Sequence, residues 1–240
     1  MLFWISYIRP IIYAASGLIA LLLYWLASSQ TDDPLLVTPY LIRVYGFLGI
    51  IFLYLALLAS PLLAAFPSLP FRPVYVKARQ ALGVSAFFFG LLHSYFVVFK
   101  ILGGIRAFFG LEALYLFPMM LGAIALFILA ILTATSPGWM HVTLGTRWKP
   151  LHRLVYIAGI LILLHATLIG SHFGTLTDYI PLTVLGATLF LFILEALRFT
   201  TFISRRHPGF SERGVRAFSI TLFLFLFVGI LATRSYFRVF

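Results

Sequence analysis

The stretch RQALGVSAFFFGLLHSYF, residues 79–96, decides how this chain must be read. Beyond Arg79 and Gln80 it offers no charged side chain, yet it sets one histidine, His93, among leucines and phenylalanines. It belongs to an apolar run covering about 80–102, and six similar runs lie at about 8–27, 41–66, 113–135, 151–171, 180–199 and 216–234. Roughly 20 apolar residues are enough for a helix to cross the hydrocarbon of a bilayer. The composition says the same: 240 residues are 62% hydrophobic and 10% charged, with a mean hydropathy of +1.09. A soluble domain carries about 25% charged residues, so a soluble enzyme and a disordered chain are excluded. The net charge of +11 is read as a topology label of a membrane protein, not as a nucleic-acid surface. No cysteine is present, which removes disulfide and thiolate chemistry and cysteine-held iron–sulfur clusters. The first run is too long for a signal peptide and lacks a small-residue cleavage site, so it reads as a retained helix.

Turn-forming clusters separate the runs: Pro67 to Pro73, Gly103-Gly104, Ser136-Pro137-Gly138 and His207-Pro208-Gly209. The expected fold is an all-α membrane protein, with a six-helix bundle in residues 1–199. Residues 200–240 add a basic cytoplasmic loop and a seventh transmembrane helix. Orientation follows from lysine and arginine. Arg9, Arg72, Lys77, Arg79, Arg147, Lys149, Arg153, Arg198, Arg205, Arg206, Arg213 and Arg216 fall on one side. Arg43, Lys100, Arg106, Arg234 and Arg238 fall on the other. The first set predicts the cytoplasmic face of a cell inner (plasma) membrane, with the N-terminus inside.

Ionisable side chains within a bilayer are costly, and each is a functional candidate. His93 lies 14 residues beyond Arg79 and His165 lies 15 beyond Pro150, so both sit about 21–22 Å up parallel helices at 1.5 Å per residue. Two neutral imidazoles at one depth can take both axial positions of a heme iron. The same two side chains can instead simply hydrogen-bond to neighbouring helices. His152 is 13 residues before His165, about 20 Å lower, and on an ideal helix it points about 140° away. A bulge near Gly159 or a tilt at Pro150 is needed to aim both inward. Arg79 faces within about 40° of His93 and suits a carboxylate such as a heme propionate, not iron. His172 stands two turns above His165, at the outer edge, while His141 and His207 read as surface residues. Glu195 reads as a local i,i+3 partner of Arg198. No paired acids appear in the apolar runs, and no phosphate loop or HExxH motif appears in the sequence.

Taken together, Arg79-Gln80-Ala81-Leu82-Gly83 with His93, and Leu144-Gly145-Thr146-Arg147-Trp148 with Leu151-His152-Arg153-Leu154-Val155-Tyr156 and His165, resemble the ferric reductase-like transmembrane family. The resemblance runs from about Leu41 to Gly170 and includes Gly46 and Pro61. It is strongest to the branch of heme-binding membrane subunits that serve periplasmic methionine sulfoxide reductases. It implies heme b between the third and fifth spans, ligated by His93 and His165. It implies His152 as the inner ligand of a second heme, with Arg79 in the place of that heme's other ligand. It also implies electron transfer from a cytosolic flavin reductase or membrane quinol to a periplasmic reductase, with a quinone or FMN as further cofactors. A ferric or other small-molecule reductase of the same family is an alternative, and a heme-free scaffold or carrier is another.

Overall fold

The computed structural model describes residues 2–31, 33–173, 175 and 178–237. Arg238 and the side chain of His172 lie outside the described residues. A chain this apolar must satisfy its backbone hydrogen bonds internally once water is gone, and the described residues do so as helices. They are α1 (Leu2–Gln30), α2 (Pro34–Ala65), α3 (Arg72–Tyr95), α4 (Ile105–Phe109), α5 (Ala113–Ala134), α6 (Gly138–Leu144), α7 (Trp148–His152), α8 (Leu154–Ile169), α9 (Tyr179–Arg206) and α10 (Glu212–Phe237). Six segments are long and apolar enough to cross a membrane, and the bent pair 138–152 and 154–169 adds a seventh when its two halves are counted as one span. This is an all-α multi-pass membrane protein.

The helix ends follow from local sequence. Asp33 caps α2, its side chain accepting from the Leu35 amide at 2.9 Å, and Pro34 takes the first helical position. α3 widens into a π-helical turn, Phe96–Ile101, directly after the turn that carries His93. That turn is closed by Gly103 at φ 81° and Gly104 at φ 135°, conformations that a side chain resists.

The fifth apolar run is not one straight helix. The chain breaks at Arg153 between α7 and α8, with a 40° bend. The reorientation thus falls between the two positions, Pro150 and Gly159, where the pattern allowed one. Because of it, the ideal-helix angle between His152 and His165 does not apply.

Between helices, packing relies on small residues and aromatic rings. Gly49 of α2 faces Gly90 of α3, where an added Cβ would lie 3.5 Å from the Gly90 amide. Phe89 is fully buried and stacks on Phe52 with ring centroids 5.3 Å apart. α1 is tied on by buried polar contacts: the Ser16 hydroxyl donates to the Ile12 carbonyl and accepts from that of Ser85 at 2.8 Å, and Tyr45 donates to the Ala20 carbonyl at 2.8 Å. α10 packs within the bundle, Ile230 joining Leu163, Ala166, Phe173 and Val184 in one buried cluster.

Phe89→Ala removes the largest fully buried side chain and is expected to cost about 3–5 kcal/mol. Phe127→Ala, at a ring 68% exposed, is expected to change stability by less than about 1 kcal/mol. Unfolding in detergent micelles measures both.

Candidate cofactor site

His93 enters the bundle from α3 and His165 from α8. Their ring centroids stand 6.2 Å apart with planes at 83°. The Nδ1 of His93 lies 2.9 Å from the Ile42 carbonyl of α2, and that of His165 lies 2.8 Å from the Pro118 carbonyl of α5. A carbonyl can only accept, so each Nδ1 carries the proton and donates. Each Nε2 is left with its lone pair. This is how metal-binding histidines are oriented: one nitrogen is tied to a backbone acceptor and the other is free to ligate.

Each of those carbonyls already accepts along its own helix and has a second lone pair to offer. Access to it depends on the residue four positions on. That residue is Gly46 beyond Ile42 and Gly122 beyond Pro118. A Cβ on Gly46 would come within 2.8 Å of the His93 Nδ1, and one on Gly122 within 2.9 Å of the His165 Nδ1. The same two-residue device, an acceptor carbonyl and a glycine at i+4, therefore occurs once in the α2–α3 hairpin and once in the α5–α8 pair. No repeat of this kind is evident from the residue pattern, because only the glycine leaves a trace in it. Gly46 was noted from the sequence; Gly122 was not.

The residues fit an iron-centred group. Metal–imidazole bonds are about 2.0–2.1 Å and the ring centroid sits about 1.1 Å behind the nitrogen, so two imidazoles sharing one ion end-on have centroids roughly 6.3 Å apart. The observed centroid distance of 6.2 Å is close to that value. Both donors are neutral nitrogen ligands, the type that heme iron accepts axially.

His152 stands apart from this pair, at the end of the bundle that carries most of the arginines. Its Nε2 lies 3.1 Å from the Thr135 hydroxyl. That hydroxyl donates its one hydrogen to the Ile131 carbonyl at 2.7 Å, so it accepts from His152, whose lone pair is then on Nδ1. Trp148 stacks on the His152 ring at 4.0 Å, and its indole N–H donates to the Thr135 carbonyl at 3.0 Å. His152 and Arg79 line one cavity of about 320 Å³, together with Arg9, Gln80, Ser136 and Trp148. Arg79 donates to the Ser60 hydroxyl at 2.7 Å and Gln80 to the Ser136 carbonyl at 2.6 Å. His93 and His165 do not line it. His141 lies exposed on α6 against Trp148, ring centroids 4.8 Å apart, and His207 is exposed just past α9. No group of three or more metal-ligating side chains is present among the described residues.

The class defined by fold and site is an all-α multi-pass membrane protein with two carbonyl-anchored imidazoles close together between its helices. Residues 45–163 match the family described as ferric reductase like transmembrane component, a segment that contains His93 and His152 and stops two residues short of His165. The heme-binding subunit MsrQ of protein-methionine-sulfoxide reductase from Bordetella pertussis is 33% identical over 164 residues, 67% of this chain and 76% of the relative. That of Agrobacterium fabrum is 37% identical over 128 residues, 52% and 56% of the two chains, and that of an Enterobacter species is 30% identical over 164, 67% and 79%. No solved structure matches. The chain belongs to the ferric reductase-like transmembrane family, and within it is related to the MsrQ subunits.

The hydrogen-bond pattern sets opposite tautomers at the two ends of the bundle. In cofactor-free protein, ¹⁵N NMR of labelled histidine should find His93 and His165 protonated at Nδ1 and His152 at Nε2. Thr135→Val should release the third signal to a tautomer mixture and leave the first two unchanged.

Proposed function

We propose that this chain is a b-type cytochrome of the plasma (bacterial inner) membrane. In this reading it passes single electrons from a donor on the basic, cytoplasmic side to an acceptor on the opposite side. The observation that carries the reading is the 6.2 Å pair of His93 and His165 with both Nδ1 protons anchored on backbone carbonyls. A heme held there supplies reversible one-electron chemistry, while the protein supplies position, potential and access.

The chain's own residues do the rest. His93 and His165 ligate through Nε2, and their bonds to Ile42 and Pro118 hold the rings in place and raise ligand basicity. Gly46 and Gly122 keep those carbonyls within reach. His152 and Arg79 belong to a donor-side site in the inner cavity, which takes a second heme, a quinone or FMN. There Arg79 and Arg9 favour an anionic substituent, and His152 presents Nδ1. The basic excess around that end supports a cytoplasmic location for it, with the N-terminus inside. The donor is a cytosolic flavin reductase or membrane quinol. The relatives' names support a methionine sulfoxide reductase as the acceptor, on the periplasmic side.

The test is the visible spectrum of the purified protein with its heme-to-protein ratio. Wild type should show a Soret band, and His93→Ala and His165→Ala should each lose most of it; a colourless wild type overturns the reading. Gly46→Val and Gly122→Val should lose heme at least severalfold, because a branched side chain occupies the ring's own position. Gly17→Val, where an added Cβ would meet nothing within 4 Å, should retain it.

A further inference from the structure

Glu195 is the buried charge that the electron path described above leaves without a task. It sits near the inner end of the apolar run 180–199, within α9, at 7% exposure. Its Oε2 pairs with Arg198 at 2.9 Å, and its buried Oε1 has no hydrogen-bond partner among the described residues. From the sequence it reads as a local i,i+3 pair, but the structure gives it company from other helices. Arg198 also donates to the Tyr156 hydroxyl of α8 at 2.9 Å and lies over that ring. Arg79 of α3 supplies a further positive charge in the neighbourhood. Arg79 in turn lines the inner cavity. No other charged side chain faces this level from the remaining packed helices, since α2 carries none from 44 to 65 and α10 none from 217 to 233.

A half-paired carboxylate in hydrocarbon is costly and marks a proton or ion path by default. Through Arg198 it is tied to the level of Tyr156, which lies between His152 and His165 on the chain, nine residues below His165 on α8 and about 13 Å by helix rise. Charges within such a medium are screened little. An added electron above it therefore favours an added proton at it.

We propose that Glu195 is a redox-linked proton site: its carboxylate takes up a proton when the histidine-held cofactor is reduced and releases it on reoxidation. The proposal rests on the heme reading above. One electron comes from the inner-side donor, a reduced flavin or a quinol, and ferric iron becomes ferrous. One proton comes from inner-side water through the cavity beside Arg79, and Glu195 Oε1 becomes O–H. When the outer acceptor removes the electron, Glu195 returns its proton to inner-side water by the same cavity and is again a carboxylate. Arg198 and Tyr156 act as positioning residues that keep Oε2 engaged and Oε1 open.

The experiment is a redox titration of the heme in full-length, heme-loaded protein across roughly pH 5 to 9. The wild-type midpoint should fall as pH rises, by up to about 59 mV per unit for one proton per electron. Glu195→Gln should flatten that slope with the Soret band intact, and Glu195→Asp should restore it. A loaded wild type with a pH-independent midpoint, or an unchanged slope in Glu195→Gln, overturns the proposal alone; a wild type without heme overturns the heme reading as well. Should Glu195→Gln fail to accumulate, the reduced-minus-oxidised infrared difference spectrum of wild type decides. A protonated-carboxyl stretch gained on reduction supports the site, and its absence overturns it.

Discussion

Two hydrogen bonds, each from a histidine Nδ1 to a backbone carbonyl on the adjacent helix, are the contacts on which the arrangement of this bundle's centre depends. An imidazole free to rotate in a membrane would present either nitrogen. Bound to Ile42 and Pro118, His93 and His165 each present Nε2. The bonds also fix helix spacing, because a ring reaches a main-chain oxygen only if the two backbones approach closely. Gly46 and Gly122 permit that approach, and the Gly49–Gly90 contact continues it along the α2–α3 hairpin.

The two ends of the bundle use histidine differently. At the His93–His165 level the Nδ1 protons are committed and the Nε2 atoms are not. At the basic end Thr135 holds the Nε2 proton of His152, Trp148 covers its ring face, and Arg79 shares its cavity. In the function proposed above, this asymmetry separates an end that holds a cofactor from an end that exchanges with a donor. α10 belongs to the same design. Through Ile230 it packs against α8 beside His165, so this seventh helix supports the centre of the bundle.

Much of this was legible from residues alone. Helix count came from apolar runs, since only a helix can carry about 20 such residues across lipid. The matched depth of His93 and His165 followed from the fixed rise of a helix, and the structure brings their rings to 6.2 Å. The break at Arg153 was less accessible: Pro150 and Gly159 each allowed a reorientation, and neither is where it falls. Carbonyl acceptors were out of reach because every residue has one and their use leaves no mark in the residue type. Gly122 could have been found only by knowing that His165 would lie against it.

By itself, then, the sequence determined a multi-pass helical protein, its basic end, and the levels at which its few polar groups sit. These are properties of one chain running through one solvent, set by burial cost and by 1.5 Å of rise per residue. Tertiary structure alone decided which groups meet across helices: His93 with the Ile42 carbonyl, His165 with that of Pro118, His152 with Thr135, Arg198 with Tyr156. The reason is geometric. Level along a helix is inherited from position in the chain, whereas direction around the axis and the identity of the neighbour arise only when helices pack, bend and settle at a definite distance.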